Sequence, residues 1–192
     1  MKKSVKFIPA LALLAGLAAP VLAAPQTYVI DNTHTYPHFS YDHLGFSKQV
    51  VRFNETSGKV VFDKEAKTGS VDIVINMKSI DTGFATFDEH IQANDYLDTA
   101  KYPRATFKST KVEFDGDKPS KIHGDLTIKD VTKPVTLTVT SFKAVPHPML
   151  KKDAIGANAH TIINRSEFNA GKTAPFVSDE VRIDIGLEAV AQ

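Results

Sequence analysis

Ile122-His123-Gly124-Asp125-Leu126-Thr127-Ile128-Lys129-Asp130-Val131-Thr132-Lys133-Pro134-Val135-Thr136-Leu137-Thr138-Val139-Thr140 is the stretch on which the fold turns. Ile122, Gly124, Leu126 and Ile128 alternate with His123, Asp125 and Thr127. Val135, Leu137 and Val139 alternate with Thr136, Thr138 and Thr140. A period of two, carried by β-branched residues, marks strands with one dry and one wet face. Lys129–Pro134 lies between the two runs and reads as a hairpin connection.

The same period extends outward in both directions. Val71, Ile73, Ile75 and Met77 share a face, as do Val181, Ile183, Ile185, Leu187 and Ala189. Shorter runs fill the gaps: Thr27–Ile30, Phe39 with Tyr41, and Val60 with Phe62 beyond a bend at Gly58. Ala105, Phe107 and Ser109 lead into Val112 and Phe114, and Ala157, Ala159, Thr161 and Ile163 form a run of smaller residues. Asp115-Gly116-Asp117 suits a tight turn, while Lys143–Gly156, with Pro146 and Pro148, reads as a long loop. One segment departs from the pattern. Phe84, Phe87 and Ile91 stand at helical spacing, and Thr86 and Glu89 have the spacing of a capping box. The expectation is an all-β chain: a barrel of about eight antiparallel strands with a short helix beside or across it.

The N-terminus reads differently. Lys2, Lys3 and Lys6 precede an apolar run from Phe7 to Ala24, and Val21-Leu22-Ala23 offers a signal-peptidase site. Residues 1–23 are expected to be a cleaved signal peptide, and 24–192 one exported domain, periplasmic or secreted. The alternative for the same run is an uncleaved membrane anchor. No later stretch is apolar enough to span a bilayer, so no stable membrane insertion is expected after the signal is removed.

Composition narrows the function. The 192 residues hold 23 Lys and Arg, 22 Asp and Glu, and no Cys. Three of the basic residues and none of the acidic ones precede position 24, so the remainder carries a net −2. That balance argues against a nucleic-acid partner. Without Cys there is no disulfide, thiolate metal site or cysteine nucleophile. Phosphate-cradling glycine motifs and the G-x-S-x-G elbow are absent.

Histidines are the candidates for chemistry. His34 and His38 in an extended segment would lie ~13 Å apart, too far for one metal. Asp88 and His90 have the types of an acid/base pair, but at a helix tip they more often cap it. The interior is the remaining feature. Periodicity alone favours a filled core. The small inward residues Ala105, Gly124, Ala157 and Ala159, with strands ~33 Å long, allow a thin apolar cavity instead.

A series of short motifs runs in order through the chain: Asp31-x-x-His34, His43-Leu44-Gly45-Phe46, Gly58-x-x-x-Phe62-Asp63 and Ser79-Ile80-Asp81-Thr82. It continues through Asp88-x-His90-Ile91, Asp95-Tyr96-Leu97-Asp98, Tyr102-Pro103-x-Ala105-Thr106-Phe107-x-Ser109-Thr110, Gly124–Val135 and Arg165-Ser166-Glu167-Phe168. In these motifs the chain resembles the YceI-like family of lipid- and polyisoprenoid-binding, lipocalin-like exported proteins. The resemblance implies an eight-stranded antiparallel lipocalin-like barrel with a short helix at one end and a tunnel for a long isoprenoid, quinone or other long-chain lipid, and it admits a homodimer. Phe87 stands where the family commonly has Arg, Asp130 replaces a usual turn Gly, and Pro37 a strand hydrophobe.

On this reading Phe39, Tyr41, Phe53, Ile73, Ile75, Met77, Phe107, Leu126, Leu137, Val139, Ile163 and Ile185 line the cavity. Phe84, Phe87, Ile91 and Leu97 close one end, and either His43 or Asp88 with His90 meets a polar head. No cofactor, metal or catalytic residue is expected. An enzyme acting on a small apolar substrate through His43 or the Asp88–His90 pair is the alternative, and a closed structural core is a third reading.

Overall fold

Eleven strand segments and one helix account for the computed structural model, which describes residues 24–192. The segments are β1 (Gln26–Ile30), β2 (His38–His43), β3 (Ser47–Phe53), β4 (Thr56–Asp63), β5 (Thr68–Asn76) and β6 (Ile80–Asp81). After α1 (Ala85–Ile91) come β7 (Arg104–Asp115), β8 (Lys118–Ile128), β9 (Val131–Pro146), β10 (Asp153–Asn164) and β11 (Glu180–Ala191). The expected signal peptide lies outside the described residues. No helix among the described residues is long and apolar enough to cross a membrane.

The segments make eight barrel strands. β1 and β2 both pair with β11, at Ala189–Ala191 and Arg182–Asp184 respectively. β4 and β3 continue the same division against β1 and β2, and β5 and β6 against β4 and β3. Three barrel strands are therefore each broken once: at a 3-10 turn (Asn32–His34), at Asn54-Glu55, and at a second 3-10 turn (Met77–Ser79). With β7 to β11 they form a closed antiparallel meander. Closure removes the exposed edges that an open sheet would carry.

Where a strand breaks, its backbone groups leave the ladder and need other partners. The three breaks supply them to each other. Thr56 N–H donates to Asn32 Oδ1 at 2.6 Å, Asn54 N–H to the Ser79 carbonyl at 3.0 Å, and Glu55 N–H to Ser79 Oγ at 3.0 Å. Asn76 N–H reaches the Glu55 carbonyl at 3.0 Å. At the seam between β1 and β2, Thr35 is 1% exposed. Its hydroxyl donates to the Glu188 carbonyl at 3.2 Å and accepts from Glu188 N–H at 3.1 Å.

Several local expectations are corrected. The β8–β9 connection is only Lys129-Asp130, and Pro134 sits inside β9 opposite Asp125. Lys129 takes φ 56°, an uncommon conformation for a side-chain-bearing residue. Its ammonium donates to the Tyr96 and Asn169 carbonyls at 2.9 and 2.8 Å. The expected loop at Lys143–Gly156 is mostly strand, because β9 and β10 pair out to Pro146 and Asp153. Thr86 and Glu89 form no capping box. Phe84 occupies the cap position with no side-chain bond, while Asp88 Oδ1 accepts from Thr82 N–H at 2.7 Å and ties the turn to α1.

Gly58 marks the bend expected of it. Its φ is +140°, and a Cβ there would stand 2.1 Å from the Asp72 carbonyl oxygen across the ladder. Gly58→Ala should lower stability by about 2–4 kcal/mol in urea titration. Gly156→Ala, where nothing lies within 4 Å of the added methyl, should stay within about 1 kcal/mol of wild type. Thr35→Val keeps the shape of the side chain but strands the Glu188 N–H. It should cost about 1–3 kcal/mol, most of it recovered in Thr35→Ser.

Candidate functional site: an apolar bore

The barrel encloses a cavity of about 590 Å³, within the range of small-ligand sites. All eight barrel strands contribute to its wall. Along β7 the lining runs from Ala105 to Phe114, nine residue steps or ~30 Å, so the space is long and narrow. Alternation puts one face of each strand inside. Val71, Ile73 and Ile75 of β5 line the bore, as do Val181, Ile183, Ile185 and Leu187 of β11.

Small residues keep the bore from filling. Ala105, Ala157 and Ala159 occupy wall positions. Gly124 has a different role: a Cβ there would stand 2.5 Å from Cζ of Phe107. The missing side chain lets the Phe107 ring lie against the wall instead of across the centre.

Phe39, Tyr41, Phe53, Ile73, Ile75, Met77, Phe107, Leu126, Leu137, Val139, Ile163 and Ile185 all stand on the wall. Phe87, Ile91 and Leu97 line the helix end, and His43 lines the rim while remaining exposed. Phe84 is the exception. It is 66% exposed and takes no part in the lining. It precedes the first helical residue in an extended conformation, so the spacing that places Phe87 and Ile91 does not apply to it.

Two large contributors escape the alternation rule. Phe142 faces inward because β9 slips by one residue at Thr140: Ala159 pairs with Val139, but Asn158 pairs with Ser141. Phe168 lines the bore from a 3-10 turn (Arg165–Phe168) and is 2% exposed. The pattern Arg-x-x-Phe outside any periodic run was the available signal.

The helix end is covered by α1 and by the segment that follows β10. Arg165 holds that segment in place. Its Nε donates to the Ser178 carbonyl at 2.8 Å, Nη1 to those of Ala170 and Lys172 at 2.6 and 2.7 Å, and Nη2 to that of Val177 at 2.8 Å. Asp42 and Ser178 exchange two further bonds at 3.0 Å, next to a bridge between His43 and Val177. Lys172 pairs with Asp95 on the α1 side.

The wall contains no Asp, Glu or Lys among the described residues. Burial raises the Tyr41 hydroxyl above its ordinary pKa, with the nearby Arg165 charge opposing the rise, so it stays a neutral phenol at physiological pH. Asp88 is engaged with the backbone, and His90 packs edge-on against Tyr96 and Phe87, with centroids 4.8 and 6.0 Å away. Such a surface suits an apolar molecule and penalises an ionised one.

One group of metal-ligand types lies elsewhere. Asp31, His34 and Glu188 hold donor atoms within 4.8 Å of one another on the outer surface. Hydrogen bonds from His34 and Thr33 keep the Asp31 carboxyl down at about 2. Its oxygens are thereby already committed to Thr33 and His34.

Comparison with known proteins agrees with this architecture. The model of the YceI-like domain matches residues 28–189. Protein YceI of Escherichia coli O157:H7 is 37% identical over 195 residues, spanning 100% of both chains. BcnA of Burkholderia cenocepacia superposes with a TM-score of 0.67 at 27% identity, covering 83% of this chain and 99% of that one. A polyisoprenoid binding domain from Saccharophagus degradans has the same fold, with a TM-score of 0.67 at 16% identity over 87% and 99% of the two chains. With its eight-strand barrel and this sequence match, the chain belongs to the YceI-like domain family.

Proposed function

We propose that the protein is an exported binding protein that holds a long apolar lipid of isoprenoid type, such as a polyprenyl, quinone or fatty-chain molecule, inside its barrel. The observation that carries this reading is the narrow ~30 Å bore on whose wall no carboxylate or amine stands among the described residues. The described polyisoprenoid binding of the Saccharophagus degradans domain is in keeping with it. The N-terminal Lys2, Lys3, Lys6 and the apolar run after them supply the export signal.

The energetics are adequate without chemistry. Burying about fifteen carbons gains roughly 12 kcal/mol at ~0.8 kcal/mol each. Association costs take back several kcal/mol. What is left is of the order of a micromolar Kd, which corresponds to about 8 kcal/mol. The protein thus stores, carries or sequesters its ligand, and the rim residue His43 meets the polar head.

Protein purified from its host should carry a lipid adduct in native mass spectrometry, on a chain that begins at Ala24. Ile75 pairs with Ala105 in the layer nearest the helix; Ile75→Trp fills the bore there and should weaken binding of a fluorescent prenyl probe at least ten-fold while the strand signal in circular dichroism is kept. A wild-type chain that carries no adduct and ignores the probe would count against the reading. If His43→Ala abolished activity in the cell but left probe binding intact, catalysis would be favoured instead.

A further inference from the structure

The end of the bore remote from α1 is blocked. Phe62 on β4 and Phe142 on β9 meet edge to face with ring centroids 5.1 Å apart, and Phe114 on β7 stacks on Phe62 at 6.3 Å. Around the ring of eight, the strand that contains β4 stands four places from β9, on the opposite wall. A contact between Phe62 and Phe142 therefore crosses the full width of the bore. Phe62 and Phe114 each stand beside a hairpin turn, the β4–β5 and β7–β8 connections, so the crossing lies at the very end.

Three irregularities in the ladders place these rings. β9 skips Thr140 against β10, β7 skips Thr110 against β8, and β8 skips Ser120 against β7. Unbroken alternation from Val135 would turn Ser141 and Lys143 inward, and from Ala105 it would turn Lys111 and Glu113 inward. The slips turn in Phe142, Val112 and Phe114 instead, with Pro119 on β8. Bulges interrupt ladder bonding and re-aim the side chains that follow them. Here the result is an apolar floor where charged side chains would otherwise stand.

We propose that Phe62, Phe114 and Phe142 are a chain-length stop: they set the longest apolar chain that the barrel takes in. This rests on the lipid-holding reading above. The mouth lies at the helix end, where the lining residues His43, His90 and Thr173 are exposed between the covering segments, and a chain entering there gains burial with each carbon until its end meets the rings. Further carbons then remain in water at the mouth and add nothing.

The test is binding of a homologous series of straight-chain alcohols, read by displacement of a fluorescent prenyl probe. For wild type, affinity should rise about four-fold per added carbon, the equivalent of ~0.8 kcal/mol, and then level off at one length. Phe142→Ala should move that length upward, so that chains just past the wild-type limit bind about ten-fold tighter or more. Ala159→Phe adds a ring one layer nearer the mouth, since Ala159 pairs with Val139, and should move the limit to shorter chains. Phe114→Ala serves as a second opening variant if Phe142→Ala does not fold, and thermal unfolding verifies each variant. Folded opening variants with an unchanged limit would overturn the stop, as would an unchanged limit in Ala159→Phe. A wild type that binds no alcohol and no probe would instead remove the lipid-holding reading on which the stop depends.

Discussion

The hydroxyl of Thr35, bonded to both the N–H and the carbonyl of Glu188, bridges the gap between the two ladders that close the barrel. One edge of β11 pairs with β10 along eleven residues. The other edge is divided, with three residues paired to β1 and three to β2. Between those ladders the neighbouring chain leaves the sheet, and the Glu188 N–H would face it unpaired. Thr35 Oγ1 supplies the acceptor that Glu188 N–H lacks, and its hydroxyl shares the Glu188 carbonyl with Asp31 N–H, which donates to it at 2.9 Å. An open seam here would leave a sheet edge and a bore with no wall.

Once the ring is closed, its interior is shaped by departures from regularity. A regular eight-strand barrel is narrow enough for side chains to fill. The alanines and the flattened Phe107 over Gly124 keep the centre empty. The strand breaks at Asn32–His34, Asn54-Glu55 and Met77–Ser79 are cross-linked to one another, so three bends act as one rigid band. Bulges on β7 and β9 turn in Val112, Phe114 and Phe142 where Lys111, Glu113 and Lys143 would otherwise face the bore, and one on β8 turns in Pro119. Each device satisfies or relocates polar groups so that the lining stays apolar.

The helix end shows how cations are accommodated beside an apolar cavity. Arg165 lies on the wall, yet its guanidinium is engaged by four backbone carbonyls. Lys129 likewise gives its ammonium to the Tyr96 and Asn169 carbonyls from the β8–β9 turn. Both charges hold loops together. A buried or half-buried cation with carbonyl partners is tolerated where an unpaired one would not be.

Alternation was enough to read the strands, the inward face of most of them and the all-β barrel. It also placed Phe39, Ile73, Phe107 and Ile185 on the side that became the wall, because a strand's side-chain period is two whatever its partners are. The same rule could not place Phe142, since a bulge depends on the register between β9 and β10 and leaves no mark in β9 alone. Phe84 followed a helical spacing but fell one residue before the helix began. The two-residue turn at Lys129-Asp130 requires a left-handed residue that composition did not announce, and its support comes from Tyr96 and Asn169, distant in sequence. Local pattern thus determined which residues would be strands and which faces would be dry. Whether the dry interior was filled or hollow was decided only by the tertiary structure, because it depends on which side chains meet across the ring.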